Sequence, residues 1–296
     1  MIPPPPFVME NVMFSFAHIA PTAHLDLTAG RDFYLVLAHL VEEDEAYCSF
    51  YLNERARNPG VQIILDNSAF ELYKRGLPMY PSNKLIKMAQ KIKADYIVMT
   101  DYPAEDGEKT IEAAKALAPE IHAAGFKTFF VPQSSVGDIK GLMKSFGWAA
   151  SNIHLIDYVG VSILSAPNAY GVERGNKMQR FTSRLRLMYD LRDTNVFYDL
   201  KAQGCKVHFL GMVDGPNEVM FMSPFAKWID SWDSSSAVWL GLNDRLYDRT
   251  PTGIFDGKFE LEVDFQFKTS DYTLIDKAKQ NMNYIDRLGY GYLWDN

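Results

Sequence analysis

Apolar and polar positions along this chain fall into two kinds of block. Short apolar runs end in polar turns, and stretches follow in which apolar side chains return every three or four positions. Val61-Gln62-Ile63-Ile64-Leu65 reads as a buried strand. Leu85, Ala89 and Ile92 then fall at i, i+4 and i+7 behind Ser82, which is placed as an N-cap, so 82–93 reads as an amphipathic helix. Tyr96 to Met99 is the next strand, and Ile111, Ala114, Ala118 and Ile121 share one face of a helix that ends at Gly125. The rhythm continues with strands at 127–131, 157–161 and 206–210 and with helices near 137–146, 175–192 and 216–227. A short apolar segment lies near Trp228–Trp232.

Strands that alternate with helices require a parallel sheet. The unit repeats about every thirty residues, and about eight units fit a chain of this length, which is the size of a (β/α)8 TIM barrel. A doubly wound open sheet is the other solution, but neither G-x-G-x-x-G nor G-x-x-x-x-G-K-[ST] is present to make it a nucleotide binder. The segment 252–270 alternates in short β-like runs (Phe259, Leu261, Val263, Phe265, Phe267) and 271–288 reads as a closing helix, so 250–296 is expected to cap the barrel. Pro3–Pro6 make 1–10 an extended lead-in. With no compositional break after it, 1–296 reads as one domain.

Composition narrows the functional classes. At 47% hydrophobic residues the chain can bury a large core. Lys plus Arg is 30 against 37 Asp plus Glu, a net charge of −7, so any polyanion must be held by a local basic patch. Cys48 and Cys205 supply neither a disulfide framework nor a C-x-x-C zinc pair. The N-terminus lacks the features of a signal peptide, and no run of about eighteen apolar residues offers a membrane span. A soluble, cytoplasmic protein is expected.

Polar residues recur where the strands end: Asp66-Asn67-Ser68, Thr100-Asp101, Pro132-Gln133-Ser134-Ser135, Val161-Ser162, and Asp230 and Asp233 around the last apolar segment. A barrel brings such ends to one face, where barrel enzymes place their chemistry. Taken singly, Asp66, Asp101 and Ser134 read equally well as N-caps. Taken together, Asp66, Asp101 and Asp233 put three mutually repelling carboxylates at one mouth, which is costly unless the site uses them. A metal held by the three is conceivable, but the six histidines show no H-x-x-x-H or H-x-H spacing, and no metal is expected.

In these residues the chain resembles the tRNA-guanine transglycosylases, barrel enzymes that exchange guanine for a 7-deazaguanine. Asp66-Asn67-Ser68-Ala69-Phe70-Glu71 resembles their D-S-G-G-F-Q, and Asp95 to Asp101 resembles the strand that ends in their base-binding aspartate. Val131-Pro132-Gln133-Ser134-Ser135 is similar to their V-Q-G, Gly160-Val161-Ser162 to G-G-L, and Phe209-Leu210-Gly211 to L-x-G. Asp230-Ser231-Trp232-Asp233-Ser234 is similar to the D-x-x-D-C that carries the nucleophile. The matches keep the family's order over roughly residues 60 to 240.

The resemblance implies a role for each. Asp233 attacks C1′ of the target guanosine, and Asp66 handles the proton moved on or off the purine. Asp101 accepts from the guanine N1–H and 2-amino group, while Gln133 and the backbone of Gly160, Val161 and Ser162 read the O6 side. Ser68, Phe70 and Gly211 join the substrate-binding set. Asp230 is either a helper of the nucleophile or a cap. Two carboxylates in opposite roles suit an oxocarbenium-like transition state, as in retaining glycoside hydrolysis.

The departures are informative too. No cysteine or histidine follows Asp233, so the family's zinc site is missing; Ser235-Ser236-Ala237 replaces P-T-R; and Ser162 to Ala166 has no counterpart to the glutamate of V-G-E, which favours a neutral 7-substituent such as cyano. The chain looks most like the small zinc-free relatives, often encoded by bacteriophages, that insert 7-deazaguanines into DNA. That resemblance implies exchange of DNA guanine for 7-cyano-7-deazaguanine or a derivative, no cofactor, DNA and the free base as partners, and host cytoplasm if phage-encoded. A zinc-free tRNA enzyme, a catalytically silent nucleic-acid-binding subunit and, more weakly, a glycoside hydrolase stay open, as does a homo-oligomer. Lys177, Arg180 and Arg184 fall at i, i+3 and i+7 within the basic stretch Arg174–Arg192, either as a phosphate-binding ridge or as a solvated helix face. Trp232 and Trp239 read as base-stacking platforms or as core.

Overall fold

Strands buried on both faces read as continuous apolar runs, and such strands belong to parallel sheets covered by helices. Phe33–Leu37 and Tyr158–Ser162 are buried at every residue. The fold is a computed structural model that describes residues 14–173, 176–213, 215–247 and 262–289. Its strands are β1 (Ser15–His18), β2 (Phe33–Leu37), β3 (Gln62–Asp66), β4 (Tyr96–Val98), β5 (Lys127–Phe130), β6 (Tyr158–Ser162), β7 (Lys206–Leu210) and β8 (Ser231–Ser234). All are parallel, in the order β1-β8-β7-β6-β5-β4-β3-β2, and β1 lies against β2, so the sheet curls into a nearly closed (β/α)8 barrel. The expected fold class is the one observed.

Helices follow the strands: α1 (Ala38–Glu43), α2 (Glu45–Arg57), α3 (Ala69–Arg75), α4 (Ser82–Ile92), α5 (Gly107–Ala123), α6 (Ile139–Ser151), α7 (Ser165–Ala169), α8 (Lys177–Asp193), α9 (Val196–Ala202), α10 (Pro216–Phe221), α11 (Ser236–Leu242) and α12 (Tyr272–Gly289). Helix α12, the expected closing helix, packs on α11, α10 and β1. Among the described residues no helix is long and apolar enough to cross a membrane.

Several boundaries depart from the sequence pattern. The helix expected at 216–227 is α10 followed by a 3-10 turn over Ser223–Trp228, and β8 begins at Ser231 rather than near 228. The expected β-like runs do not form over 262–270, where the backbone is irregular and Val263, Phe265 and Phe267 pack sideways on the core. Phe259 and Leu261, like the lead-in 1–10, lie outside the described residues.

Beneath the C-terminal face the barrel is filled by rings. Phe129 stacks on Tyr158 at 5.1 Å, Tyr96 meets Tyr158 edge-on, and His208 lies between Phe33 and Phe129. Gly160 makes room for this layer: a Cβ there would sit 2.7 Å from Phe129 and 2.8 Å from Leu210.

At the opposite end, three aspartates just ahead of even-numbered strands do one structural job. Asp95, Asp157 and Asp230 accept the backbone N–H of Ile63, Thr128 and Val207, each on the preceding strand, at 2.7, 2.8 and 2.6 Å. Asp230 also pairs with Lys201. It is a strand-tying residue at the barrel floor, and the alternative of a helper beside Asp233 is withdrawn.

Candidate active site

Each strand of β3 to β8 delivers a polar group at its C-terminal end, and these groups surround one cavity of about 630 Å³, within the usual size range of small-molecule sites. Asp66, Phe70, Asp101, Gln133, Ser162, Gly211 and Asp233 all line it, as does Arg180 at the rim. The structure therefore gathers most of the expected site residues.

Asp233 lies in β8 and is 5% exposed. Its Oδ1 accepts two hydrogen bonds, from the Gly211 N–H at 3.1 Å and from Nε2 of His208 at 2.9 Å. Gly211 adopts φ +68, which favours glycine, and this turns its N–H toward the carboxylate. Asp66 accepts from the Ser68 N–H at 2.8 Å. Burial, helped by Glu71, Asp233 and Asp101, holds the Asp66 carboxyl well above the usual carboxylate range.

Glu71 is a site residue that the sequence reading quoted without giving it a role. It comes from the first turn of α3, lines the cavity and is pushed up to about 7 by burial and by Asp233. Asp66 and Glu71, both pushed by burial toward their protonated forms, lie in the same cavity as the hydrogen-bonded Asp233 carboxyl, and such a grouping of carboxyls is the pattern of acid/base chemistry. A carboxyl that holds its proton in the folded chain longer than in the unfolded one costs stability as pH rises. Between its ordinary 4.5 and about 7 the native state keeps the Glu71 proton that the unfolded state releases. Glu71→Gln is therefore expected to exceed the parent in stability at pH 8 by up to about 3 kcal/mol and to converge with it near pH 4. Denaturant titrations at the two pH values check this; a difference independent of pH would contradict it.

Asp101 is buried, receives the Nδ2–H of Asn67 at 2.7 Å and the Nε2–H of Gln133 at 2.6 Å, and is pushed up to about 6 by burial. Each of its oxygens keeps one acceptor position. Gln133 turns its amide nitrogen toward this carboxylate and spends one of its two N–H groups on it, which leaves the second N–H as a donor, while Oε1 is buried without a partner among the described residues.

Other expected site residues lie outside the cavity. Gly160 belongs to the ring layer described above. The Val161 carbonyl and the Ser68 hydroxyl are turned away, to Arg184 at 3.0 Å and to Nδ1 of His39 at 2.9 Å. Arg184 itself is fully buried, so it cannot be part of an exposed phosphate-binding ridge. Its guanidinium pairs with Glu218 at 2.8 Å and donates to the carbonyls of Gly211 and Val161, both at 3.0 Å, fastening the ends of β6 and β7. The Lys177 side chain lies outside the described residues. Trp232 is buried with Nε1 donating to the Gly211 carbonyl at 2.8 Å, which settles it as core; Trp239 lines the cavity, edge-on to Phe267.

Among the described residues no three His, Cys, Asp or Glu side chains are disposed to hold a metal ion, so the Asp66, Asp101 and Asp233 set is not a ligand cluster. No protein-family model matches the chain, and no curated protein is significantly similar to it.

Proposed function

We propose that this protein is a base-exchange transglycosylase that replaces guanine in DNA with a 7-deazaguanine through a covalent intermediate on Asp233. The observation that carries the proposal is a single cavity in which an anchored carboxylate (Asp233), two proton-holding carboxyls (Asp66, Glu71) and a polar end that offers both an acceptor and a donor (Asp101, Gln133) meet.

The chemistry follows from these groups. An Asp233 oxygen forms a bond to C1′ while the C1′–N9 pair leaves with guanine, which takes a proton from Asp66 or Glu71. The incoming 7-deazaguanine then gives its N9 proton to the same carboxyl pair and attacks C1′, and the ester bond breaks to regenerate the Asp233 carboxylate. Two inversions give net retention, and both steps pass through oxocarbenium-like transition states that favour opposed carboxyl roles. The free acceptor positions of Asp101 suit the purine N1–H and amino group, and the second N–H of Gln133 suits O6. The Ser162 hydroxyl, whose oxygen accepts from the Leu164 N–H at 3.0 Å, keeps its own proton for O6. Phe70, 36% exposed at the cavity wall, offers a face for stacking. A stacked base in a duplex is out of reach, so the target base enters flipped or from a single strand.

The absence of the family's zinc ligands and of its V-G-E glutamate favours DNA and a neutral 7-substituent. Incubating the protein with labelled 7-cyano-7-deazaguanine and either DNA or tRNA tests the reading. Incorporation into DNA supports it; incorporation into tRNA alone overturns the DNA assignment; base release without incorporation makes the protein a glycosidase instead.

Lys74 and Arg75 on α3 and Arg180 on α8 line the cavity; Lys74 pairs with Glu262, and the two arginines are placed to meet backbone phosphates. Arg75→Glu and Arg180→Glu are each expected to weaken DNA binding and to reduce the slope of log affinity against log salt by about 1. Fluorescence anisotropy across a salt series checks this, and unchanged slopes would remove both residues from the interface.

A further inference from the structure

The chemistry above uses Asp233 but not the buried polar chain behind it. His208 projects from β7 into the ring layer and is fully buried. Its Nε2 meets Oδ1 of Asp233 at 2.9 Å, its Nδ1 meets the Ser231 hydroxyl at 2.7 Å, and the Ser231 hydroxyl meets the Tyr158 hydroxyl at 2.7 Å. One polarity satisfies every member with a neutral imidazole. Tyr158 donates to Ser231, Ser231 donates to Nδ1, and the Nε2–H donates to the carboxylate. Burial holds the Tyr158 phenol firmly protonated, which makes it the donor that starts the chain.

We infer that His208, oriented by Ser231 and Tyr158, is the positioning residue of the nucleophile: with the Gly211 N–H it ties down Oδ1 of Asp233, so that Oδ2 is the oxygen delivered to C1′. The inference rests on the base-exchange reading. Among the described residues Oδ1 takes both hydrogen bonds and Oδ2 takes none. A carboxylate hydrogen-bonded through one oxygen by two donors on β7 and its following turn cannot rotate about its terminal torsion without breaking both bonds. Restricting that rotation is what a reaction at a single carbon requires. The same two donors stabilise the carboxylate more than the ester, so they also assist the second step, in which the Asp233 carboxylate leaves. Packing among Phe33, Phe129 and Tyr158 asks only for a ring, not for a polar one. The two-sided hydrogen bonding therefore marks a role beyond filling space.

The test compares His208→Phe, His208→Gln and Ser231→Ala with the parent in single-turnover exchange of guanine in a DNA oligonucleotide for 7-cyano-7-deazaguanine. His208→Phe is expected to slow the chemical step about 100-fold while the KM for the base stays unchanged. His208→Gln, whose amide N–H can reach the position of Nε2–H, should recover at least about tenfold of that loss, and Ser231→Ala should fall between Phe and parent. A His208→Phe rate within about threefold of the parent, or a Gln variant no better than Phe, overturns the inference. A readout free of activity accompanies this. In 15N-histidine-labelled protein the His208 Nε2–H should give a resonance protected from exchange that shifts in Asp233→Asn, and its absence also overturns the inference. A parent that shows this resonance but exchanges no base would instead defeat the base-exchange reading and leave the pairing intact.

Discussion

Asp233→Asn is expected to lower base exchange about 10⁴- to 10⁶-fold and to abolish any covalent adduct with DNA on a denaturing gel, with the thermal midpoint unchanged. The substitution preserves shape, and the carbonyl oxygen of asparagine still accepts from Gly211 N–H and from Nε2–H of His208 at the observed positions. What changes is the atom facing the cavity: an amide nitrogen replaces the free Oδ2, and a neutral amide neither attacks C1′ nor leaves as a carboxylate. The remaining apparatus of Asp66, Glu71 and Asp101 is untouched, so base binding should persist. An adduct that survives in Asp233→Asn would move the nucleophile elsewhere and dismantle the mechanism.

Arg184→Met is expected to reduce the free energy of unfolding by about 3–5 kcal/mol. Arg184 and Glu218 are both fully buried and 2.8 Å apart, and removing the cation takes from the buried Glu218 carboxylate the guanidinium charge it faces. The loss does not end there, because the guanidinium also serves the carbonyls of Gly211, Val161 and, at 3.4 Å, Leu210, and it lies over the rings of Phe209 and Trp232. Glu218 in turn accepts from the Val213 N–H at 2.6 Å, so the turn after β7 hangs on the pair from both sides. Adding Glu218→Gln to Arg184→Met should recover part of the loss by removing the buried negative charge that faced the guanidinium, but not all of it, since the carbonyls lose their donor. Urea titrations of the single and double variants decide the matter. A single variant within about 1 kcal/mol of the parent would mean the clamp contributes no more than a surface pair.

Strands β3 to β7 were legible because each is an apolar run closed by a polar turn, whereas β8, Ser231-Trp232-Asp233-Ser234, is no such run. Nor was β2 legible: the run Phe33 to Val41 is buried throughout, and its strand passes into helix α1 with no polar boundary to mark the change. The alternating apolar positions at Val263, Phe265 and Phe267 misled in the opposite sense, because period-two spacing also suits an irregular segment that lays successive side chains on a core. Arg184 carried a readable warning. It shares i, i+3, i+4 and i+7 spacing with Leu187, Met188 and Leu191, all fully buried, and so lies on the inward stripe of α8 even though it also falls in register with Lys177. His208 likewise occupies a core position of an otherwise apolar strand, where a polar side chain needs a partner.

What the sequence determined by itself is the alternation of strand and helix, hence the parallel barrel, and the row of polar residues at strand ends that a barrel must bring to one face. Both follow from local periodicity and chain order, which need no knowledge of distant contacts. Tertiary structure alone decided which of those residues face the cavity and which tie the scaffold together. Asp230, just ahead of β8, and Asp233, within it, are three residues apart, yet the first binds the floor of the barrel and the second lies at its mouth with His208 behind it. Glu71 and Asp66 exchange no signal in the sequence, yet their shared burial keeps protons on both. Burial, electrostatic coupling and hydrogen-bond partners are properties of positions in space, set by strands far apart in the chain.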